Sequence, residues 1–128
     1  MSRHFISLAA TLALALTVTA CGSSSKAVDV QLTTALNPPK MGTNTFEAIV
    51  TQGGEPVTDA TVSVEVHMAA MPSMNMPEMR SSTTLTHQAS GKYVGQGQLQ
   101  TPGNWDTTVT VKRGTETLTT KTLTLAAQ

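Results

Sequence analysis

Strict two-residue alternation constrains this chain more than any other feature. In Val62-Ser63-Val64-Glu65-Val66-His67-Met68 every second side chain is apolar and the residues between are polar. A strand sends successive side chains to opposite faces, so this pattern makes a sheet with one buried and one wet face, and it suits no helix. The same period predicts strands over Val28–Ala35 (Val28, Val30 and Leu32 on one face), Thr45–Thr51 (Phe46, Ala48 and Val50 together), Ala60–Met68 and Ser82–Gln88. It continues over Lys92–Gln100, Trp105–Lys112 (Trp105, Thr107, Val109 and Val111 together) and Glu116–Leu125. Gln52-Gly53-Gly54-Glu55-Pro56, Ser90-Gly91, Thr101-Pro102-Gly103-Asn104 and Arg113-Gly114 punctuate the strands as turns. About seven short antiparallel strands in about 100 residues point to an all-β fold, an immunoglobulin-like Greek-key β-sandwich. Gly95-Gln96-Gly97 marks a bulge or an edge in the fifth of them.

The first twenty residues stand outside this pattern. Arg3 and His4 precede an apolar run from Phe5 to Val18, too short for a comfortable membrane span and suited to a secretory leader. It ends in Val18-Thr19-Ala20-Cys21, which resembles the lipobox of bacterial lipoproteins, where the cysteine is acylated and becomes the new N-terminus. The expected organisation is a signal peptide over 1–20, a lipidated Cys21 with a Gly/Ser tether over 21–27, and one domain over 28–128. Several acyl chains hold a protein to a membrane stably. Gly22, where an inner-membrane retention signal would place Asp, directs the protein to the periplasmic face of an outer membrane if the cell has one. Cys21 is the only cysteine, so lipidation leaves no disulfide, thiolate metal site or cysteine nucleophile. Without Arg3 the chain carries seven basic and eight acidic residues, singly scattered, which argues against nucleic acid as a partner.

The second strong signal is sulfur. Five of the seven methionines lie between Met68 and Met79, in the stretch Val66-His67-Met68-Ala69-Ala70-Met71-Pro72-Ser73-Met74-Asn75-Met76-Pro77-Glu78-Met79-Arg80. Pro72 and Pro77 deny it a regular helix or a central strand. Thioethers are soft, neutral ligands that select Cu(I), whereas the bland alternative is that methionine fills gaps or makes an adaptable apolar surface. Ser73, Asn75 and Glu78 are polar for a core segment, so the stretch reads as a displayed loop. Met71, Met74, Met76 and Met79 are the candidate ligands, with Met68 and His67 as candidate additions.

Alternating strand direction collects the connections 36–44, 69–81 and 101–104 at one end of the sandwich. That end receives Met41, the methionine stretch and Trp105, while the N-terminus and its lipid fall at the other. Met41 and Trp105 are therefore candidate caps; Trp105 reads first as a packing anchor and second as a ring that covers a cationic site by cation–π contact. His87 lies well into its strand, nearly ~20 Å from the loop at strand rise, and reads as structural or solvent-facing.

Taken together, the strand Thr58-Asp59-Ala60-Thr61-Val62-Ser63-Val64-Glu65-Val66-His67-Met68, the loop from Met71 to Met79, the Gly91-Lys92-Tyr93 turn and Gly103-Asn104-Trp105 resemble the YtkA-like domain family. FixH-like proteins of cytochrome oxidase assembly are similar in the same pattern, which covers roughly Gln31 to Lys112. The resemblance implies an immunoglobulin-like sandwich and an association with copper handling or oxidase assembly, with no catalytic residues to carry over.

Three functions compete. The first is an anchored, monomeric Cu(I) carrier or scavenger. The second is a metal-free interaction module that docks to a copper-efflux or oxidase-assembly partner. An enzyme is the third, and the chain carries no nucleophile–base motif or zinc-ligand cluster to support it.

Overall fold

The computed structural model describes residues 27–128, so the expected signal peptide, the expected acylation site Cys21 and most of the expected tether lie outside the described residues. The strands are β1 (Val28–Thr34), β2 (Gly42–Gln52), β3 (Glu55–Pro56), β4 (Thr61–Met68), β5 (Met79–Ala89), β6 (Lys92–Leu99), β7 (Gly103–Arg113) and β8 (Glu116–Ala127). Among the described residues the one helical piece is a 3-10 turn, Pro72–Met74. Every pairing is antiparallel, along the path β1-β2-β6-β5-β4-β7-β8, with β3 added to β2.

This order is the immunoglobulin-like Greek key, and β5 is its corner. Residues Met79 to Leu85 pair with β4, whereas Thr86 to Ala89 pair with β6 across a register shift between His87 and Ala89. One strand thus serves two sheets, the change of partner falling between Leu85 and Thr86 and the irregularity following it near the turn into β6. The sheets thereby join into a nearly closed barrel whose last seam, between β1 and β8, is held by few contacts. Lys121 Nζ donates to the Val30 carbonyl at 3.0 Å, and Gln128 exchanges backbone bonds with Pro39 and Met41 at 2.9 Å each.

The alternation places the core as the sequence predicts. Phe46, Ala48 and Val50 of β2, Val62, Val64, Val66 and Met68 of β4, and Trp105, Thr107, Val109 and Val111 of β7 are all buried. The aromatics of the domain, Phe46, Tyr93 and Trp105, are all inside it. Tyr93 also ties down the chain between β3 and β4: its hydroxyl donates to the Val57 carbonyl at 2.8 Å and accepts from the Ala60 amide at 3.2 Å.

Three details depart from the sequence reading. An eighth strand, β3, forms because Gly53 and Gly54 both adopt positive φ, the geometry of a two-residue hairpin turn, and pair Glu55-Pro56 back onto β2. The strands β2, β5 and β7 begin two or three residues earlier than predicted, because their partners supply hydrogen bonds out to Leu99, Met68 and Ala127. Gly95 and Gly97 mark no bulge: their register against β2 runs unbroken, while the ladder to β5 ends at Val94. They sit in β6, between β2 and β5, where a Cβ at Gly97 would collide with the Phe46 ring and one at Gly95 with Leu85. Gly97→Ala should therefore cost about 1–3 kcal/mol of stability, as overpacking does, measurable as a lowered midpoint in denaturant at unchanged slope.

Candidate metal centre

The methionine stretch is a hairpin and not an open loop. The β4–β5 ladder runs to Met68↔Met79 and then breaks, and it closes again at one isolated bridge, Met71↔Met76. Met71 N–H donates to the Met76 carbonyl at 2.9 Å and Met76 N–H returns the bond at 3.1 Å. Between them Pro72 starts the 3-10 turn, where its missing N–H costs nothing, and Asn75 ends it at φ 53°, a left-handed position that Asn tolerates. The two prolines thus interrupt the strands, as their chemistry requires, without opening the hairpin.

Pairing sorts the thioethers. Met68 faces Met79 and Met71 faces Met76, each pair separated by roughly 4.5–5.5 Å at the Cα, as antiparallel partners are. Met68 belongs to the core, and Met71, Met76 and Met79 pack partly against it. Of the thioethers only Met74, at the tip, is displayed to solvent, with 65% of its surface exposed. The stretch is displayed as expected at Ala69, Ala70, Pro72, Ser73, Asn75, Pro77 and Glu78, but its thioethers other than Met74 turn partly inward, because the core continues beneath the hairpin.

His67 is at the same end but on the opposite face from Met68, as neighbours in a strand must be. Its Nε2 lies 3.1 Å from Glu78 Oε1, which also accepts a 2.6 Å bond from Arg80 Nε; Arg80 Nη1 in turn donates to Glu65 at 3.1 Å. The Arg80 hydrogen bond, then the Arg80 charge, hold the Glu78 carboxyl below the usual glutamate range. Because folding lowers this pKa, the clamp is intact above the ordinary glutamate range and is lost only as the pH falls through the lowered value. The network pins the returning arm of the hairpin to the outer face of β4. The sequence reading missed it; the signal was the register, which sets Arg80 opposite His67.

The other candidates sort as follows. Trp105 is fully buried and its indole N–H donates to the Thr101 carbonyl at 3.0 Å, the position of a packing anchor. Met41 is exposed at the methionine end, with its backbone bonded to Gln128. His87 stacks obliquely on Tyr93, ring centroids 5.1 Å apart, far along β5 from the hairpin. Among the described residues no three His, Cys, Asp or Glu side chains group in a way that would hold a metal. The donor set concentrated at the hairpin is thioether, which fits monovalent copper and not the nitrogen, thiolate and carboxylate preferences of zinc.

A search among curated proteins finds no match. A family model described as YtkA-like matches residues 23–110, which contain the hairpin, its clamp and the Gly103-Asn104-Trp105 segment. On a match covering most of its length, the chain belongs to the YtkA-like family.

Proposed function

We propose that this chain is a lipid-anchored, extracytoplasmic Cu(I)-binding protein that carries or scavenges copper and performs no catalysis. The observation that carries this reading is the pairing of Met68 with Met79 and Met71 with Met76 on one short hairpin, with a fifth thioether at its tip. Neutral thioethers need no deprotonation, so loading releases no proton, and their modest affinity suits capture and hand-over. Acyl chains on Cys21 would anchor the protein to a membrane, and β1 begins at the end opposite the hairpin, which would turn the thioethers toward soluble or membrane-bound copper-efflux or oxidase-assembly partners.

Two experiments test this reading. The mature chain, kept reduced, should take about one Cu(I) from a competing chelator and bind Zn(II) far more weakly. Cys21→Ser should leave the protein unacylated and lost from the membrane fraction, read by fractionation and metabolic lipid labelling; an acylated, membrane-bound variant would reject the anchor.

The partial burial of Met71, Met76 and Met79 favours a second reading, a pliable docking surface without metal. Partner capture that persists in a variant unable to bind copper would select it.

A further inference from the structure

The segment from Thr101 to Asp106 has a role that the hairpin alone does not explain. β4 and β7 pair as far as His67↔Asp106 and then part. A pocket of about 370 Å³ opens in the fork, lined by Met68, Ala69, Met71, Gly103, Asn104 and Asp106. Two methionines of the hairpin and one acidic residue of a different strand thus line the same pocket.

The β7 side is shaped around the Met68 sulfur. Trp105, held in the core, fixes the Thr101 carbonyl through its indole N–H at 3.0 Å. Thr101 then donates its hydroxyl to Met68 Sδ at 3.4 Å. A thioether sulfur has two lone pairs, so this bond orients the side chain and leaves one pair for a soft cation. Gly103 completes the wall: a Cβ there would come 3.1 Å from Met68 Cε, and its φ of +127° suits no L side chain. Gly103, Thr101 and Trp105 are positioning residues, and their joint effect is to hold one thioether at the pocket.

We propose that this fork is the copper site, with Met68 and Met71 as its thioether ligands and Asp106 as the counter-charge. The proposal rests on the Cu(I) reading and locates its site. Neutral ligands leave the positive charge of Cu(I) uncompensated, and a charge withdrawn from water is costly unless paired. Asp106, which lines the same pocket, would supply the opposite charge. It is exposed, so its attraction is screened by salt. Met76, bridged to Met71, is the nearest candidate for a third ligand, although neither it nor Met74 at the tip is among the residues that line the fork.

The test is Cu(I) competition with a chromophoric chelator, using the mature chain purified in detergent, at low and at high salt. Met71→Leu should weaken binding by about tenfold or more, a loss of about 1.4 kcal/mol, while Met74→Leu stays near the wild-type value. Asp106→Asn should weaken binding several-fold at low salt and converge on the wild type at about 1 M salt, where the screening length falls to about 3 Å. Met71→Leu nearly conserves volume, Asp106→Asn is isosteric at an exposed position, and an unchanged thermal midpoint confirms the fold of each. Equal losses for Met74→Leu and Met71→Leu, or full affinity in Met71→Leu, would overturn the fork as the site while leaving a methionine carrier standing. A salt-independent Asp106→Asn would overturn the counter-charge. A wild-type chain that takes no Cu(I) would instead reject the copper reading itself, and the fork with it.

Discussion

Val64→Asp should abolish cooperative folding of this domain. Val64 is 1% exposed at the centre of β4, flanked by Thr83 of β5 and Val109 of β7. A carboxylate there would face the aliphatic core with no cation near it, since the basic residues of β4 and its neighbours lie on the outer face or at the ends. An unpaired buried charge costs several kcal/mol, against a total stability of about 5–15 kcal/mol for a domain of this kind. The purified variant should show no thermal transition by circular dichroism. Ser63→Asp provides the control. Ser63 is the preceding residue on the opposite, wetter face, between Thr84 and Thr110, and a carboxylate there should shift stability by no more than about 1 kcal/mol. A folded Val64→Asp, or an unfolded Ser63→Asp, would contradict the assignment of faces.

Simultaneous replacement of Met71, Met74, Met76 and Met79 by Leu should leave the fold intact and cost about 100-fold or more in Cu(I) affinity, equivalent to about 2.8 kcal/mol. Leucine keeps size and apolarity and removes only sulfur. Buried Met→Leu exchanges typically cost under about 1.5 kcal/mol each, and these four are at most partly buried. Structure and metal binding therefore separate in this variant. If the hairpin only packs or docks, the variant keeps every property of the parent. Mild peroxide should act on copper binding in the same direction by converting thioethers to sulfoxides, with Met74 first because it is the most exposed of the hairpin methionines. Recovery of affinity after enzymatic sulfoxide reduction would show that sulfur chemistry and not unfolding caused the loss.

Much of this architecture is legible in the chain because the half-buried strand is a local pattern. The alternation from Val62 to Met68 gives both the burial of Met68 and the outward position of His67, as the structure has them. Direction parity brings the connections before β2, β5 and β7 to one end, and the registers Gly42↔Leu99, Met68↔Met79 and Gly103↔Ala127 agree. What stayed hidden depends on partners distant in sequence. The division of β5 between two sheets falls between Leu85 and Thr86, and no residue type there announces it. The hairpin bridge Met71↔Met76 was obscured by Pro72 and Pro77, which read as breakers although each occupies a position that needs no ladder bond. The role of Gly103 rests on the approach of Met68, thirty-five residues earlier, and only the fold brings the two together. The Glu78–Arg80–Glu65 clamp combines an i, i+2 pair with a cross-strand neighbour, so it emerges only once the register is known.

The central claim is that thioether sulfur from the hairpin holds monovalent copper, and X-ray absorption on the Cu(I)-loaded mature chain tests it most directly. The edge reports the oxidation state and the extended fine structure reports the elements bound to the metal. The account predicts a Cu(I) edge and a first shell dominated by sulfur, which is reduced in the quadruple leucine variant, where Met68 is the one hairpin thioether left. Cys21 is the only cysteine, and on the proposed acylation of its sulfur no free thiolate would remain to supply that shell instead. A first shell made only of nitrogen and oxygen, or a sulfur shell unchanged in the variant, would contradict it.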